Sequence, residues 1–358
     1  MAIKSSVSKT AKPRKISSVS YAEKPWLKHY TMECPPEIAY KKILLHDYLK
    51  SAAREHPEHT ALIFQGYKVN YRELKEMVDR VAACLADFGI RKGDAVAILL
   101  PNCIPCVVAY YATLKIGGIA VMNNPLYSDR ELEYQYRDSG AKVLVALDLL
   151  ANRMIKIRSN TKIKQIVHTS MGDYLPFPKN YLFPLVAKKK GLHADVQSAP
   201  DVYRWKDCID KYAPNPPKVD VKFEDTAVYQ YTGGTTGVSK GATLTHRNVI
   251  ANVLQSEAWM QPAVHDPRKP PPPEQLVTVC ALPLYHIFAL TVCCLLGMRT
   301  GGLNILIPNP RDLPALIKEI RPYRINMFPA VNTLYNALAH NDEFGKLDFS
   351  GLRVSNGG

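Results

Sequence analysis

Tyr231-Thr-Gly-Gly-Thr-Thr-Gly-Val-Ser-Lys240-Gly241 decides how this chain is read. Glycines, threonines and one lysine are packed into a short stretch, a mixture suited to a loop that wraps a polyphosphate. Glycine lets the backbone adopt positive φ and approach a ligand closely. Successive backbone N–H groups then form a concave anion site. Threonine hydroxyls add neutral donors, and Lys240 adds a point charge. The preceding Thr226–Tyr231 reads as a buried strand. Thr245 is a good N-cap for a helix over about His246 to Met260. A flexible Gly/Thr surface linker would need neither the strand nor the capped helix. The loop is not a Walker A motif, because Val238 and Ser239 separate Gly237 from Lys240. Nor is it the dinucleotide fingerprint, because Thr235 stands where the second glycine belongs.

Outward from this loop, strands and helices alternate. Asn70 with Glu73 marks a capping-box start, followed by apolar residues at helical spacing to Phe88 and a stop at Gly89. Ala95–Leu100, Ile119–Asn123, Val143–Leu147 and Gln165–Thr169 read as buried strands. Helices are expected from about Pro105, from Ser128 to Gly140 and over Leu149–Ser159. The rhythm breaks over Met171–Val219, which carries scattered prolines and Lys188-Lys-Lys190. This reads as an irregular connection with some strand near Asp201–Trp205. A Pro-rich turn is expected over Pro267–Pro273. Beyond it come strands at Leu276–Leu282, Asn304–Pro308, Ile325–Phe328 and Leu352–Ser355, and helices at His286–Met298, Leu313–Glu319 and Thr333–His340. The alternation predicts an α/β fold, two lobes of mostly parallel sheet flanked by helices. The expected divisions are a basic disordered arm over 1–22, a first lobe over 23–220 and a second over 221–358.

The composition is that of an ordinary globular protein, with 47% hydrophobic and 22% charged residues and a net charge of +14. No zinc-finger spacing or single basic helix points to nucleic acid. Anionic ligands or an anionic membrane surface fit the charge better. The first 22 residues hold five basic residues and no acid. Eight cysteines with no secretion signal read as reduced thiols in a cytoplasmic protein. Cys103-Ile-Pro-Cys106 has redox-pair spacing, but structural thiols are the expectation. Leu276–Met298 lacks Asp, Glu, Lys and Arg and is long enough to span a bilayer, yet Pro283, Tyr285 and His286 favour a buried strand, turn and helix.

The loop, followed by Thr243-Leu-Thr-His-Arg-Asn248, resembles the phosphate-binding signature of the AMP-forming acyl-CoA synthetases of the adenylate-forming superfamily. Asn124-Pro-Leu-Tyr-Ser-Asp-Arg-Glu-Leu-Glu133, Ala281-Leu-Pro-Leu-Tyr-His-Ile-Phe-Ala-Leu290 and Asn309-Pro-Arg-Asp312 bring the resemblance closest to bacterial long-chain fatty-acid–CoA ligases. Ser239 departs from the proline found in many members. The resemblance implies nucleotide contacts from Tyr231, Thr232, Gly233, Gly234, Thr235, Thr236, Gly237, Val238, Ser239, Lys240, Gly241 and Ala242. It adds Gly357 and Gly358 near the adenine, His286 and Val331 at the acid substrate, and the Thr232 hydroxyl near Mg²⁺. It also implies ATP, CoA and a fatty acid as reactants. The remaining adenine motif, the ribose-binding aspartate and the C-terminal catalytic domain with its lysine are expected past Gly358. No catalytic residue is therefore assigned, and residues 1–358 alone are expected to lack complete ligase activity. A non-catalytic ATP- or fatty-acid-binding module and a ligase for another carboxylic acid are the competing expectations. Acyl chain length and oligomeric state are left open.

Overall fold

Parity along the strands builds the fold, as seen in a computed structural model that describes residues 21–31, 34–40, 42–189, 191–233 and 239–357. In chain order the strands are β1 (Thr60–Phe64), β2 (Tyr67–Asn70), β3 (Ala95–Leu99), β4 (Ile119–Met122), β5 (Val143–Leu147), β6 (Gln165–Thr169), β7 (Val202–Arg204), β8 (Thr226–Thr232), β9 (Lys240–Thr245), β10 (Val277–Cys280) and β11 (Leu303–Leu306). Successive side chains of a strand point to opposite faces. Accordingly Val96 and Ile98 of β3 enter one core, while Ala95, Ala97 and Leu99 enter another. A strand apolar at every position, as β3, β4 and β5 are, is the signature of a parallel sheet covered on both faces.

The strands form two sheets. One has seven strands in the order β7-β6-β5-β3-β4-β8-β9, and the other has four in the order β10-β11-β1-β2. Pairing is parallel throughout except at β1–β2 and β8–β9. Met327 and Val354 extend the smaller sheet through single parallel bridges, so the strands expected at 325–328 and 352–355 are reduced to bridge contacts.

The main helices are α1 (Leu45–Glu55), α2 (Tyr71–Asp87), α3 (Ile104–Lys115), α4 (Asp129–Ser139), α5 (Asp148–Ile157), α6 (Lys179–Lys189), α7 (Trp205–Lys211) and α8 (His246–Val264). The central core holds apolar residues of α1, α2, α3 and α8 against inner faces of both sheets. Buried residues of α4 and α5 cover the outer face of the larger sheet. Leu313–Ile320 and Asn332–Ala339 cover the smaller one. The layers therefore run helix, sheet, helix, sheet, helix.

Local signals were read correctly. The capping boxes at Asn70 and Ser128 form, Thr245 caps α8, and Gly140 ends α4 with φ of 64°. Three readings need correction. First, the sheets do not divide at residue 220: β8 and β9 complete the larger sheet, while β1 and β2 join β11. The chain crosses between sheets, and strand partnership is a long-range choice that spacing does not encode. Second, the segment read as irregular after Met171 contains α6 and α7. Pro184 and the absence of a clean apolar period hid α6. Third, Lys240 and Gly241, read as the end of the loop, begin a strand that runs to Thr245. It is a mostly polar edge strand, without the alternation that betrays a half-buried one. Tyr21 and Ala22 of the expected arm begin a short 3₁₀ turn, Tyr21–Glu23; residues 1–20 lie outside the described residues.

Leu276–Met298 resolves into β10, a turn and a helical stretch, Ile287–Ala289, π-helical Leu290–Leu295 and Leu296–Arg299. Among the described residues no helix is long and apolar enough to cross a membrane.

Candidate functional site

β3, β4 and β8 are parallel neighbours, so their C-terminal ends share one edge of the larger sheet. The chain leaves them at Leu100–Asn102, Asn123–Leu126 and Thr232–Gly233. The C-terminal ends of β10 and β11 arrive at the same place, and a cleft of about 470 Å³ opens between them. Its walls include Asn124, Ala281, Pro283, Tyr285, Asn309 and Arg311. Three motifs distant in sequence thus meet at one cavity, in the crevice where open α/β sheets take their ligands.

Two polar contacts fix this meeting. Asn102 is buried and reaches across to the turn after β10. Its Nδ2 donates to the carbonyls of Cys280 and Leu282 at 2.9 and 2.8 Å, and its Oδ1 accepts from the Leu284 N–H at 2.8 Å. A buried amide satisfied this fully holds the Pro283–Tyr285 turn in one place. Gln230 of β8 donates through Nε2 to the Tyr285 carbonyl at 3.0 Å. The strand that leads into the Gly/Thr loop is therefore pinned to the Pro-Leu-Tyr-His segment.

The base of the loop is a two-stranded clamp. Thr232 pairs with Lys240 and Tyr231 with Gly241 in antiparallel register. Tyr231 is buried, and its hydroxyl donates to Asp138 Oδ2 at 2.6 Å. Burial, with that carboxylate beside it, pushes the phenol well above its ordinary value, so Tyr231 is a neutral anchor. Gly241 lies under its ring, where a Cβ would come within 3.0 Å of Tyr231 Cζ. Ser239 turns its Oγ onto the Thr232 carbonyl at 3.1 Å, closing the neck. The side chains of Thr232 and Lys240 are exposed at this neck. Gly234, Thr235, Thr236, Gly237, Val238 and Gly358 lie outside the described residues.

Away from the loop and its base, His286, Val331 and Gly357 are the other expected site residues among those described. His286 is exposed and caps the helical stretch, accepting from the Phe288 N–H at 3.4 Å through Nδ1. Val331 is exposed at the start of Asn332–Ala339. Gly357 bridges Ala330, and Tyr335 ties the two segments by donating to the carbonyls of Phe328 and Asn356. A second groove, about 990 Å³, runs along α8 past Trp259, Phe288, Val292 and Asn356. Sequence reading did not find this groove. Its far wall, Cys34 to Tyr40, precedes the first helix and carries no periodic signal.

His246, in the Thr-His-Arg-Asn segment, is a joint rather than a ligand. Its ring is buried and accepts from the Leu45 N–H at 3.2 Å, binding α8 to the start of α1. Burial and the neighbouring His46 lower its pKa to about 4. Cys103 and Cys106 are both buried; burial raises the Cys103 thiol to about 12 and that of Cys106 well above its ordinary value. Thiols held protonated do not attack, so the pair is structural.

The geometry defines a class, an α/β fold with two mainly parallel sheets and a cleft at their converging strand ends. Residues 49–358 match the AMP-binding enzyme family, and the chain belongs to it. It is 40% identical over 341 residues to a long-chain-fatty-acid–CoA ligase of Salmonella typhimurium, covering 94% of this chain and 59% of that protein. A long-chain-fatty-acid–CoA ligase of Bacillus subtilis is 36% identical over 335 residues, covering 93% and 58%. The chain thus spans somewhat over half the length of these relatives. Among solved structures, a long-chain-fatty-acid-CoA ligase (FadD1) from Archaeoglobus fulgidus aligns with a TM-score of 0.66 at 26% identity, over 86% of this chain and 56% of that one. The anthranilate CoA ligase AuaEII in complex with anthranoyl-AMP shares the fold, with a TM-score of 0.71 at 21% identity over 88% and 55%.

Proposed function

We propose that this chain carries the nucleotide- and acid-binding part of a long-chain fatty-acid–CoA ligase. The observation that carries the reading is the convergence of Asn124, Pro283, Tyr285 and Arg311 on one cleft, pinned by Gln230 to the strand that launches the phosphate loop. ATP binds with its polyphosphate at the loop between β8 and β9. The fatty-acid carboxylate enters beside His286 and Val331. The long groove past Phe288 and Trp259, walled largely by apolar side chains, takes the acyl chain.

A carboxylate oxygen attacks the α-phosphorus, the bond to the β-phosphate oxygen breaks, and acyl-AMP and pyrophosphate form. The CoA thiol then attacks the acyl carbon and AMP leaves. Both reactants of the first step are anions. Lys240 and the threonine hydroxyls offset their repulsion and stabilise the departing pyrophosphate. Gly357 and Gly358 lie at the adenine. Thr232 offers one neutral oxygen, which fits a single place in the oxygen shell of Mg²⁺. When bound, Mg²⁺ neutralises phosphate charge. A cytoplasmic location, with the basic arm over 1–22 touching the inner face of an anionic membrane, completes this reading.

The test is fatty-acid-dependent ATP–pyrophosphate exchange by the protein in its native length. Lys240→Ala lowers the rate by about 10²-fold. An unchanged rate removes Lys240 from the mechanism. ATP binding with no acid-dependent exchange refutes the ligase and leaves a binding module, and exchange only with short or aromatic acids refutes the long-chain substrate.

A further inference from the structure

Helix α6 carries its apolar side chains outward. Its inner side is held by Phe183, which packs against the central core and leaves no room for a Cβ at Gly172, and by buried Ala187, one turn further on. The opposite side presents Tyr181, Leu182, Leu185 and Val186 at i, i+1, i+4 and i+5, one continuous stripe. Tyr181 is 72% exposed and Leu185 71%, and Phe177, just before the helix, is 80% exposed. Six of the thirteen large hydrophobics exposed among the described residues fall between Phe177 and Leu192. Scattered single exposures are ordinary, but a contiguous patch marks an interaction surface.

Charge selects the partner. From Tyr174 to Leu192 the sequence holds Lys179, Lys188, Lys189 and Lys190 and no acidic residue. Lys179 stands before the stripe and Lys188 after it, where Lys188 meets Asp195 in an exposed pair at 2.7 Å. A second copy of this chain, related by a two-fold axis, would bring like charges together. An anionic bilayer satisfies both features: the stripe enters the acyl boundary, while the lysines reach back to the headgroups.

We propose that the outward stripe of α6, with Phe177 before it, is a docking surface for an anionic lipid bilayer. It is separate from the basic arm over 1–22 and does not rest on the ligase reading, because binding is measured without nucleotide or acid. The protein in its native length is floated with vesicles of about 7:3 phosphatidylcholine to phosphatidylglycerol and with phosphatidylcholine alone. It rises with the anionic vesicles and not with the neutral ones. Leu182→Glu with Leu185→Glu lowers the bound fraction at least about tenfold, with unchanged circular dichroism and melting temperature. Lys179→Glu with Lys189→Glu also lowers it, and deletion of residues 1–22 leaves most of it. Should the double glutamate variant not fold, Leu182→Ser with Leu185→Ser takes its place. The proposal is overturned by no binding of the unaltered protein, by equal binding to neutral vesicles, by binding that both pairs of substitutions leave intact, or by binding that vanishes with the arm. A dimer that the leucine substitutions dissociate, without vesicle binding, overturns it in favour of self-association.

Discussion

Helices α3 and α6 differ by one residue in length, 12 against 11, and both are rich in apolar side chains. Yet every residue of α3 from Ile104 to Leu114 is buried, whereas α6 holds four large apolar side chains in solvent. α3 lies between the two sheets, where neighbours exist on every side. α6 lies on a connection outside them, and only Phe183 and Ala187 find the core. The difference teaches that apolar content states a need for cover. The surroundings decide whether the protein or something else supplies it.

Perturbations graded from the centre outward test this contrast. At the centre, Tyr111→Ala removes a fully buried ring of α3 and costs about 3–5 kcal/mol in denaturant unfolding. A loss no larger than that of a surface substitution would break the contrast. Next comes acid. His246 is neutral in the fold, because burial lowers its pKa to about 4, from about 6.5 for a free imidazole. The unfolded chain therefore takes up the proton first. Its contribution is complete above about pH 6.5 and is lost as pH falls toward 4, for a total of about 3 kcal/mol. Unfolding measured across that window shows the slope, and His246→Gln flattens it. Gly241→Ala, at the neck of the loop, forces a Cβ against the Tyr231 ring. It costs about 1–3 kcal/mol, seen as a lower melting temperature. Least of all, Leu182→Ser on the outer stripe of α6 changes stability by no more than about 0.5 kcal/mol. A drop comparable to that of Tyr111→Ala would mean that α6 is covered in the folded protein.

What was legible follows the range of the interactions. The caps at Asn70, Ser128 and Thr245 are bonds between residues three apart, so a short window of sequence contains both partners. The central strands β3, β4 and β5 of the larger sheet announce themselves by continuous apolar runs, because both their faces are covered. The strand before the Gly/Thr loop and the capped helix after it were readable from their own residues. By contrast, β9 is an edge strand with half-exposed residues, and its identity comes from pairing with β8. The roles of Asn102 and Gln230 were not legible. Each acts on a carbonyl far along the chain, 178 and 55 residues away, and a lone amide carries no local mark of its partner.

By itself the sequence determined the α/β class, most element positions and the family to which the chain belongs. These rest on residue type, short-range hydrogen bonds and apolar periodicity, all written within a few residues of one another. Tertiary structure alone decided that β1 and β2 join the smaller sheet, that three separated motifs line one cleft, that His246 is a buried joint and that α6 faces outward. Each of these is settled by which distant surfaces meet, and burial of apolar area is non-directional. Many pairings would satisfy the same pattern, and only the packed fold selects one.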